Sequence, residues 1–427
     1  MNLSIVNARV VDPAAGRDSP GAIHVTGGRI ASLDRAPEGF RADETVDASG
    51  LVACPGLVDI AARLREPGFE YKATLESELG AAAAGGVTSL ACPPDTDPTL
   101  DEPGLVEMLT RRAGSLALAR VFPLGALTVG LRGERLAEMA ELVEAGCVGF
   151  SQGNAALPPA ATLLQAMKYA STFGYTVWLR CEDASLAQGG VAHEGEVSTR
   201  LGLAAVPAVA ETVALRMVLE LMSATGARVH IERLSTAAGV ALVRAAKDKG
   251  MPLTCDVGMH HLHLSDRDIG EFDSQCRFVP PLRDPADRDA LRRALADGTI
   301  DALCSDHTPV DDDEKQVPFA EAAPGATGLE LLLPLALKWA GQARLPMDQA
   351  LAPVTHRAAA VLGVRAGTLA VGAEADICLF DPNADWVVTP AQLVSQGRNT
   401  PFLGLEVVGR VARTVLGGRT VFTRSQS

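Results

Sequence analysis

Eight short apolar segments alternate with amphipathic segments through the middle of the chain, and this alternation limits the possible folds more than any other feature. Each apolar segment has the length of a buried strand. The candidate strands are 57–61, 87–92, 121–127, 148–152, 176–180, 229–235, 253–257 and 301–306. The predicted helices between them are 133–145, 160–173, 209–224, 239–249 and 285–296, each followed closely by glycine. Such an alternation predicts a (β/α)8 barrel, the TIM-barrel architecture.

A doubly wound open sheet is the alternative arrangement for the same alternation. In that fold a glycine-rich loop commonly binds a nucleotide after the first strand. No GxGxxG follows a predicted strand, and no GxxxxGK followed by Ser or Thr occurs. The sequence therefore indicates no nucleotide site, and we favour the barrel.

Both ends of the chain are predicted to be all-β. The first 55 residues and about the last 60 consist of short alternating apolar runs separated by turn residues, such as Gly27-Gly28 and Gly417-Gly418. We therefore expect residues 1–55 and 361–427 to form one composite β-sandwich domain. Residues 56–360 would form the barrel.

Charge and cysteine content narrow the possible partners and compartments. The chain has 52 acidic and 38 basic residues, a net charge of −14, which disfavours nucleic acid and anionic membrane as partners. Its eight cysteines include no CxxC pair, which favours a reducing compartment. We see neither a signal peptide nor an apolar run long enough to span a membrane, so we expect a cytoplasmic protein.

A series of ordered motifs extends along nearly the whole chain. They are PGLVD at 55–59, LREPG at 64–68, AAGGVT at 83–88, PDTDP at 94–98, ED at 182–183, LST at 234–236, HHL at 260–262, PPLR at 280–283 and SDHTP at 305–309. This order resembles the dihydroorotases of the amidohydrolase superfamily. The resemblance implies an amidohydrolase-type barrel.

An active member of that family would hold two zinc ions at the carboxyl ends of the barrel strands, bound by histidines and carboxylates. The positions that match this ligand set are Ala61, Arg63, Gln152, Arg180, Arg233 and Asp306. Only Asp306 matches the expected ligand, and a guanidinium group cannot bind zinc. The resemblance therefore implies a degenerate site without catalytic residues, metal or cofactor.

The arginines at these positions have three competing interpretations, of which the last is a chance collection of separated surface residues. In the first, Arg63, Arg180 and Arg233 fill the space of the metal ions and pair with Asp306 and Glu182. In the second, these three arginines and Arg65 bind an anionic ligand, a carboxylate or a phosphate. Arg65 matches the arginine that would hold the substrate carboxylate in the family, whereas Asp95 replaces an asparagine and should repel an anion.

The histidines allow further hypotheses. His260, His261 and His263 lie close enough in sequence for a new metal site, although core packing is the more ordinary role. His307 beside Asp306 is either a catalytic group or a structural hydrogen-bonding residue. His230 is predicted to lie in the core.

Dihydroorotase-like chains without a metal site assemble with bacterial aspartate carbamoyltransferases, and this sequence resembles those chains. The resemblance implies a pseudoenzyme, a non-catalytic chain that stabilises the transferase in pyrimidine biosynthesis. We expect a hetero-oligomer with the transferase catalytic chain and dimeric self-association. The alternatives are a divergent hydrolase of the amidohydrolase fold and an anion-sensing module.

Overall fold

The computed structural model describes residues 2–425. Eight strands from the two ends of the chain pair in one sheet, in the order β18-β17-β16-β5-β1-β2-β3, with β4 pairing β1. The N-terminal strands are β1 (Asn2–Asp12), β2 (Arg17–Thr26), β3 (Arg29–Leu33), β4 (Glu44–Asp47) and β5 (Val52–Pro55). Strand β5 of the N-terminal part lies directly between β1 and β16. One strand-rich unit made from both ends is thereby confirmed, whereas its predicted limits at residues 55 and 361 stay predictions.

The middle of the chain contains ten strands. They are β6 (Leu57–Asp59), β7 (Val87–Cys92), β8 (Arg120–Ala126), β9 (Gly149–Ser151), β10 (Thr176–Leu179), β11 (Ala192–His193), β12 (Ala205–Val206), β13 (Arg228–Ile231), β14 (Leu253–Gly258) and β15 (Ala302–Cys304). Strands β11 and β12 pair only with each other, and the other eight form a parallel sheet in chain order. The C-terminal strands are β16 (Ile377–Val387), β17 (Glu406–Leu416) and β18 (Arg419–Thr423).

Backbone contacts just past β6 and β15 close the parallel sheet into a barrel. Ala62 and His307 form a parallel bridge. The amide of Arg63 donates to the carbonyl of His307 at 2.8 Å, and the amide of His307 donates to the carbonyl of Ala61 at 3.1 Å. All eight predicted strands occur within a few residues of their predicted places, so the barrel prediction is confirmed and the open-sheet alternative is wrong.

Within residues 2–425, twelve α-helices surround and connect these strands. They are α1 (Leu75–Ala84), α2 (Pro103–Leu116), α3 (Met139–Glu144), α4 (Ala160–Phe173), α5 (Glu196–Leu201), α6 (Ala208–Thr225), α7 (Ala237–Asp248), α8 (Met259–His263), α9 (Pro285–Ala296), α10 (Leu332–Ala343), α11 (Met347–Leu351) and α12 (His356–Leu362). No helix within residues 2–425 is long and apolar enough to cross a membrane.

The helices agree with the predicted segments except at 133–145. The segment becomes helical only at Met139, because the residues before it form turns. Gly130 and Gly133 have φ values of 58° and 77°, and Thr128 pairs with Leu136 as an isolated bridge. Left-handed backbone of this kind is incompatible with a continuing right-handed helix.

Candidate functional site

The six predicted site residues lie at the carboxyl ends of barrel strands, the end of a TIM barrel that carries function. Each follows its strand by no more than four residues, and all six are buried. The structure brings Arg63, Arg233 and Asp306 into direct contact. It gives Gln152 and Arg180 other partners.

Asp306 is the shared partner of two arginines. Its Oδ1 accepts from Nη1 of Arg63 at 3.2 Å and from Nη1 of Arg233 at 3.3 Å. The same Nη1 atoms also donate to Thr308 Oγ1 and to the carbonyl of Val279. These contacts agree with the interpretation in which the arginines pair with Asp306, for Arg63 and Arg233.

Asp95 is the second carboxylate held by Arg63. Nε of Arg63 donates to Oδ2 of Asp95 at 2.9 Å. Burial raises the pKa of Asp95, but the charge and hydrogen bond of Arg63, together with the charges of Arg65 and Arg233, hold that pKa below its usual value. Burial lowers the pKa of Arg63, because it disfavours the charged form. The negative charges of Asp95 and Asp306 act in the opposite direction and raise this pKa above its ordinary value. Asp95 is thus an ionised partner of Arg63, and its charge is largely compensated.

Arg180 and Gln152 belong to the loops beside the strand ends. Nη1 of Arg180 lies 2.6 Å from Oε1 of Glu182, and Nη2 donates to the carbonyl of Asn154. Oε1 of Gln152 accepts from Thr128, and Nε2 donates to the carbonyl of Leu131. Arg180 therefore pairs with a carboxylate of its own loop and does not contact Asp306.

Arg65 has no carboxylate oxygen within 4.0 Å among residues 2–425, unlike Arg63, Arg180 and Arg233. Its Nε donates to the carbonyl of Pro309 at 2.7 Å, and its guanidinium lies 6.0 Å from the ring centroid of Phe69. Burial first, and then the charge of Arg63, lowers the pKa of Arg65 to about 10. Its two Nη groups remain available for an anion.

The side chains at the mouth do not fit a binuclear zinc site. Zinc requires lone pairs from imidazole, thiolate or carboxylate groups, and a guanidinium offers none. Arg63, Arg180 and Arg233 occupy three of the matching positions, and the remaining carboxylate, Asp306, is already bound by two of these arginines.

The histidines have separate structural partners. His230 bonds to Thr254 and, through Nε2, to Asp256 at 2.9 Å, in agreement with its predicted core position. His307 contacts Glu78 at 2.6 Å and accepts from the amide of Gly328.

The clustered histidines also face different groups. His261 contacts the carbonyl of Pro280, and His263 contacts that of Leu335. Burial lowers the pKa of both to about 4. His260 packs against Phe278 with ring centroids 4.5 Å apart. These histidines therefore support packing and do not converge on a common point.

Sequence reasoning missed a second group of polar residues. His193, Asp284 and Asp287 offer ligand atoms that all lie within 4.8 Å of one another. It is the one group of at least three possible metal ligands found within residues 2–425, and it contains none of the mouth residues. The helix-start pattern Asp284-Pro285 with Asp287 was a local signal, but nothing in the sequence linked it to His193.

Comparisons with known proteins identify the class. The Dihydro-orotase-like family matches residues 50–238, and the Amidohydrolase family matches residues 195–422. The L-hydantoinase (dihydropyrimidinase) from Arthrobacter aurescens aligns with a TM-score of 0.89 over 99% of this chain and 96% of its own, at 23% identity. At that identity the likeness bears on fold alone. The protein is an amidohydrolase-type barrel.

Relatives along the full length identify the family. A "Dihydroorotase-like protein" from Pseudomonas aeruginosa is 45% identical over 418 residues, covering 98% of this chain and 99% of its own. A "Dihydroorotase" from Geobacter sp. (strain M21) is 41% identical over 425 residues, covering 99% of each chain. One from Pelobacter propionicus is 42% identical, covering 99% of this chain and 100% of its own. The chain belongs to the dihydroorotase-like family.

These relatives contradict the prediction that the chain is a pseudoenzyme. Proteins named dihydroorotase are 40–42% identical to it along nearly its whole length. The prediction equated the loss of one ligand set with the loss of all catalysis. Missing imidazoles remove one way of binding metal, whereas buried arginines and carboxylates can still stabilise charge and orient a substrate.

Proposed function

We propose that this chain acts in pyrimidine biosynthesis as a dihydroorotase-like subunit that assembles with aspartate carbamoyltransferase and stabilises it. The observation that carries the proposal is the contrast between the whole chain and the barrel mouth. Similarity to dihydroorotase-like proteins extends over 98–99% of the chain, whereas arginines occupy three expected ligand positions. Assembly depends on the folded surface and does not require that ligand set.

Two further features support a role in such an assembly. The ion pairs of Arg63 with Asp95 and Asp306 connect segments separated by 32 and 243 residues, which ties distant parts of the barrel together. All eight cysteines are free and buried, which favours the cytoplasm, the compartment in which we place the protein.

Co-expression tests the proposal directly. The transferase would be purified with this chain, without it, and with an unrelated TIM-barrel protein as the control. We expect co-elution of the two chains, and higher transferase activity or a higher Tm only when this chain is present. Full activity and unchanged assembly of the transferase alone would overturn the proposal.

A second candidate function is hydrolysis of a cyclic amide that bears a carboxylate. It is favoured by the relatives named dihydroorotase and by Arg65, whose Nη groups are free to bind an anion. The test is turnover of dihydroorotate, with Arg65→Met compared with Arg41→Met at an exposed site. We expect at least a tenfold higher KM for Arg65→Met only. Equal kinetics in both variants would remove Arg65 from substrate binding.

Anion binding without turnover is a third candidate function. The buried Nη2 of Arg233 and Nε of Arg180 lack hydrogen-bond partners among residues 2–425, so donors besides those of Arg65 are available at the mouth. Thermal shift with dihydroorotate and with inorganic phosphate would detect an anion site. A carboxylate-specific shift that Arg65→Met abolishes would support sensing, and no shift with either ligand would reject it.

A further inference from the structure

A cavity of about 410 Å³ lies between the segment that carries β11 and the start of α9. His193, Asp266 and Asp284 are among the residues that line it. Ligand atoms of His193, Asp284 and Asp287 lie within 4.8 Å of one another. Atoms bound to one small cation must be about this close, since each lies roughly 2.0–2.6 Å from the ion.

Backbone hydrogen bonds hold two of these carboxylates in place. Asp284 caps α9, and its Oδ1 accepts from the amide of Asp287 at 2.8 Å. Oδ1 of Asp287 accepts from the amide of Ala237 at 2.7 Å. Each bond uses one oxygen of its carboxylate and leaves the other available. The two side chains are thus oriented before any ligand arrives.

Asp266 is an independent indication of a missing ligand. It is only 4% exposed, and its Oδ1 has no hydrogen-bond partner among residues 2–425 although it is buried. Burial, followed by the charge of Asp284, raises its pKa. A buried acceptor without a partner is costly and calls for an unobserved group to satisfy it.

The carboxylates at the cavity take part in no close ion pair. No ion pair within 4.0 Å is found for Asp266, Asp284 or Asp287 in the described part of the chain. Arg283 is nearby, but its guanidinium donates to Ser235, the carbonyl of Val206 and His193. Asp266 and Asp284 therefore line the cavity without an ion pair, and Arg267, which also lines it, forms no ion pair within 4.0 Å among residues 2–425.

We propose that a divalent cation of the oxygen-preferring class, Mg²⁺, Mn²⁺ or Ca²⁺, binds at this cavity through Asp284 and Asp287, with the carboxylate of Asp266 on the cavity wall as a further oxygen ligand. Nη1 of Arg283 donates to Nδ1 of His193 at 3.3 Å, so the neutral ring carries its proton on Nε2. Binding through Nε2 would move that proton to Nδ1, against the guanidinium. The carboxylates thus dominate the site, and carboxylate oxygens favour hard cations over zinc.

The proposed ion would join two neighbouring segments of the chain. Asp266 follows β14, and Asp284 and Asp287 begin α9. Binding would therefore fasten the loop after β14 to the start of α9. This role is separate from the proposed function and uses none of the arginines at the barrel mouth.

Equilibrium dialysis of the chelator-treated full chain tests the site. Protein would be dialysed against Mg²⁺, Mn²⁺, Ca²⁺ or Zn²⁺, with bound metal measured by elemental analysis and Tm by calorimetry. We expect one hard cation per chain and a higher Tm. Asp266→Asn and Asp287→Asn should each weaken binding at least tenfold. Asp289→Asn, on the same helix with a 48% exposed side chain, should bind like the parent.

Tm in metal-free buffer checks that the variants fold. Asp266→Asn should be at least as stable as the parent there, because it removes repulsion from Asp284. Equal cation affinity in the parent and both variants, or no bound hard cation, would overturn the proposal. Zinc binding that His193→Gln abolishes and Asp266→Asn leaves intact would overturn the oxygen-preferring class.

Discussion

Asp306 pairs with two arginines at the barrel mouth, and its backbone has a left-handed conformation that few residues with a side chain adopt. Its φ is 45°, and the φ values of Arg65 and Arg233 are 64° and 54°. Left-handed backbone costs about 1–3 kcal/mol for residues with a Cβ, so surrounding contacts must hold it. For Asp306 and Arg233 those contacts include their mutual ion pair at 3.3 Å. Strain of this kind often accompanies a functional site.

Removing the Asp306 carboxylate should destabilise the fold strongly. Asp306→Ala leaves Arg63 and Arg233 buried without their common partner, and we expect the free energy of unfolding to fall by about 3–5 kcal/mol. Urea denaturation measures this free energy of unfolding. Asp18→Ala breaks an exposed pair with Arg9 and should cost under about 1 kcal/mol. A similar loss in both variants would mean that the Asp306 pairs add nothing beyond a surface contact.

The raised pKa of Glu330 should make the stability of the protein depend on pH. Its carboxylate accepts from the amides of Val394 and Ser395, and burial raises its pKa from 4.5 to about 7. Between those pH values the folded chain holds this proton and the unfolded chain does not. The contribution of Glu330 to the free energy of unfolding therefore falls as the pH rises toward 7 and is constant above it.

Glu330→Gln should remove that contribution. We expect the stability of the variant relative to the parent to rise by about 1–3 kcal/mol between pH 4.5 and pH 7. Urea denaturation across this range measures it. Glu107→Gln, at an exposed position of α2, should give a constant difference. The prediction fails if the Glu330→Gln difference is equally constant.

At the scale of single elements, a carboxylate from one helix anchors the start of another. Glu211 of α6 accepts from both the amide and the hydroxyl of Ser235, at 2.8 and 2.6 Å. It accepts the same two groups of Thr236, the residue that caps α7. The LST motif thus has a structural role in this chain, because it connects α6 with the loop that enters α7.

Glu211→Ala should detach the start of α7. It leaves four donors of Ser235 and Thr236 without an acceptor in a buried place, and we expect a loss of about 2–4 kcal/mol. Thermal unfolding measures the loss, and hydrogen exchange at the first turn of α7 would locate it. Glu220→Ala, at an exposed position of α6, is the matched control. Unchanged exchange at α7 would contradict the anchoring role.

At the scale of the whole molecule, the two ends of the chain depend on each other. Strand β5 pairs with β1 on one side and with β16 on the other. Val10, Ala53, Ile377 and Leu379 are fully buried in one cluster that contains residues from both ends. The sheet also contacts the barrel, since the hydroxyl of Thr414 donates to the carbonyl of Ala83 at 2.7 Å. Neither end has a complete core alone.

A chain that ends at Asp376 should therefore fail to fold cooperatively. It loses β16, β17 and β18, which exposes the edge of β5 and removes Ile377, Leu379 and Val415 from the shared core. Soluble yield and the thermal unfolding profile measure the effect. A chain that ends at Arg424 keeps all the strands and is the control. A soluble chain ending at Asp376 with an unchanged unfolding midpoint would show that the barrel does not need the sheet.

The sequence alone determined the elements and their order. Strand and helix periods record which residues face the core, so 87–92, 160–173 and 285–296 could be placed to the residue. The same local signals indicated that both ends are all-β, and the resemblance to dihydroorotases implied that arginines stand at the barrel mouth. The conclusion drawn about catalysis went further than these signals and was wrong.

Only the tertiary structure decided which charged groups meet. Arg63 lies between Asp95 and Asp306, while Arg180 pairs with Glu182. The grouping of His193 with Asp284 spans about 90 residues and has no local pattern. Backbone periodicity reflects contacts between near neighbours, whereas the partner of a charge at a strand end is set by how separate loops converge when the barrel closes.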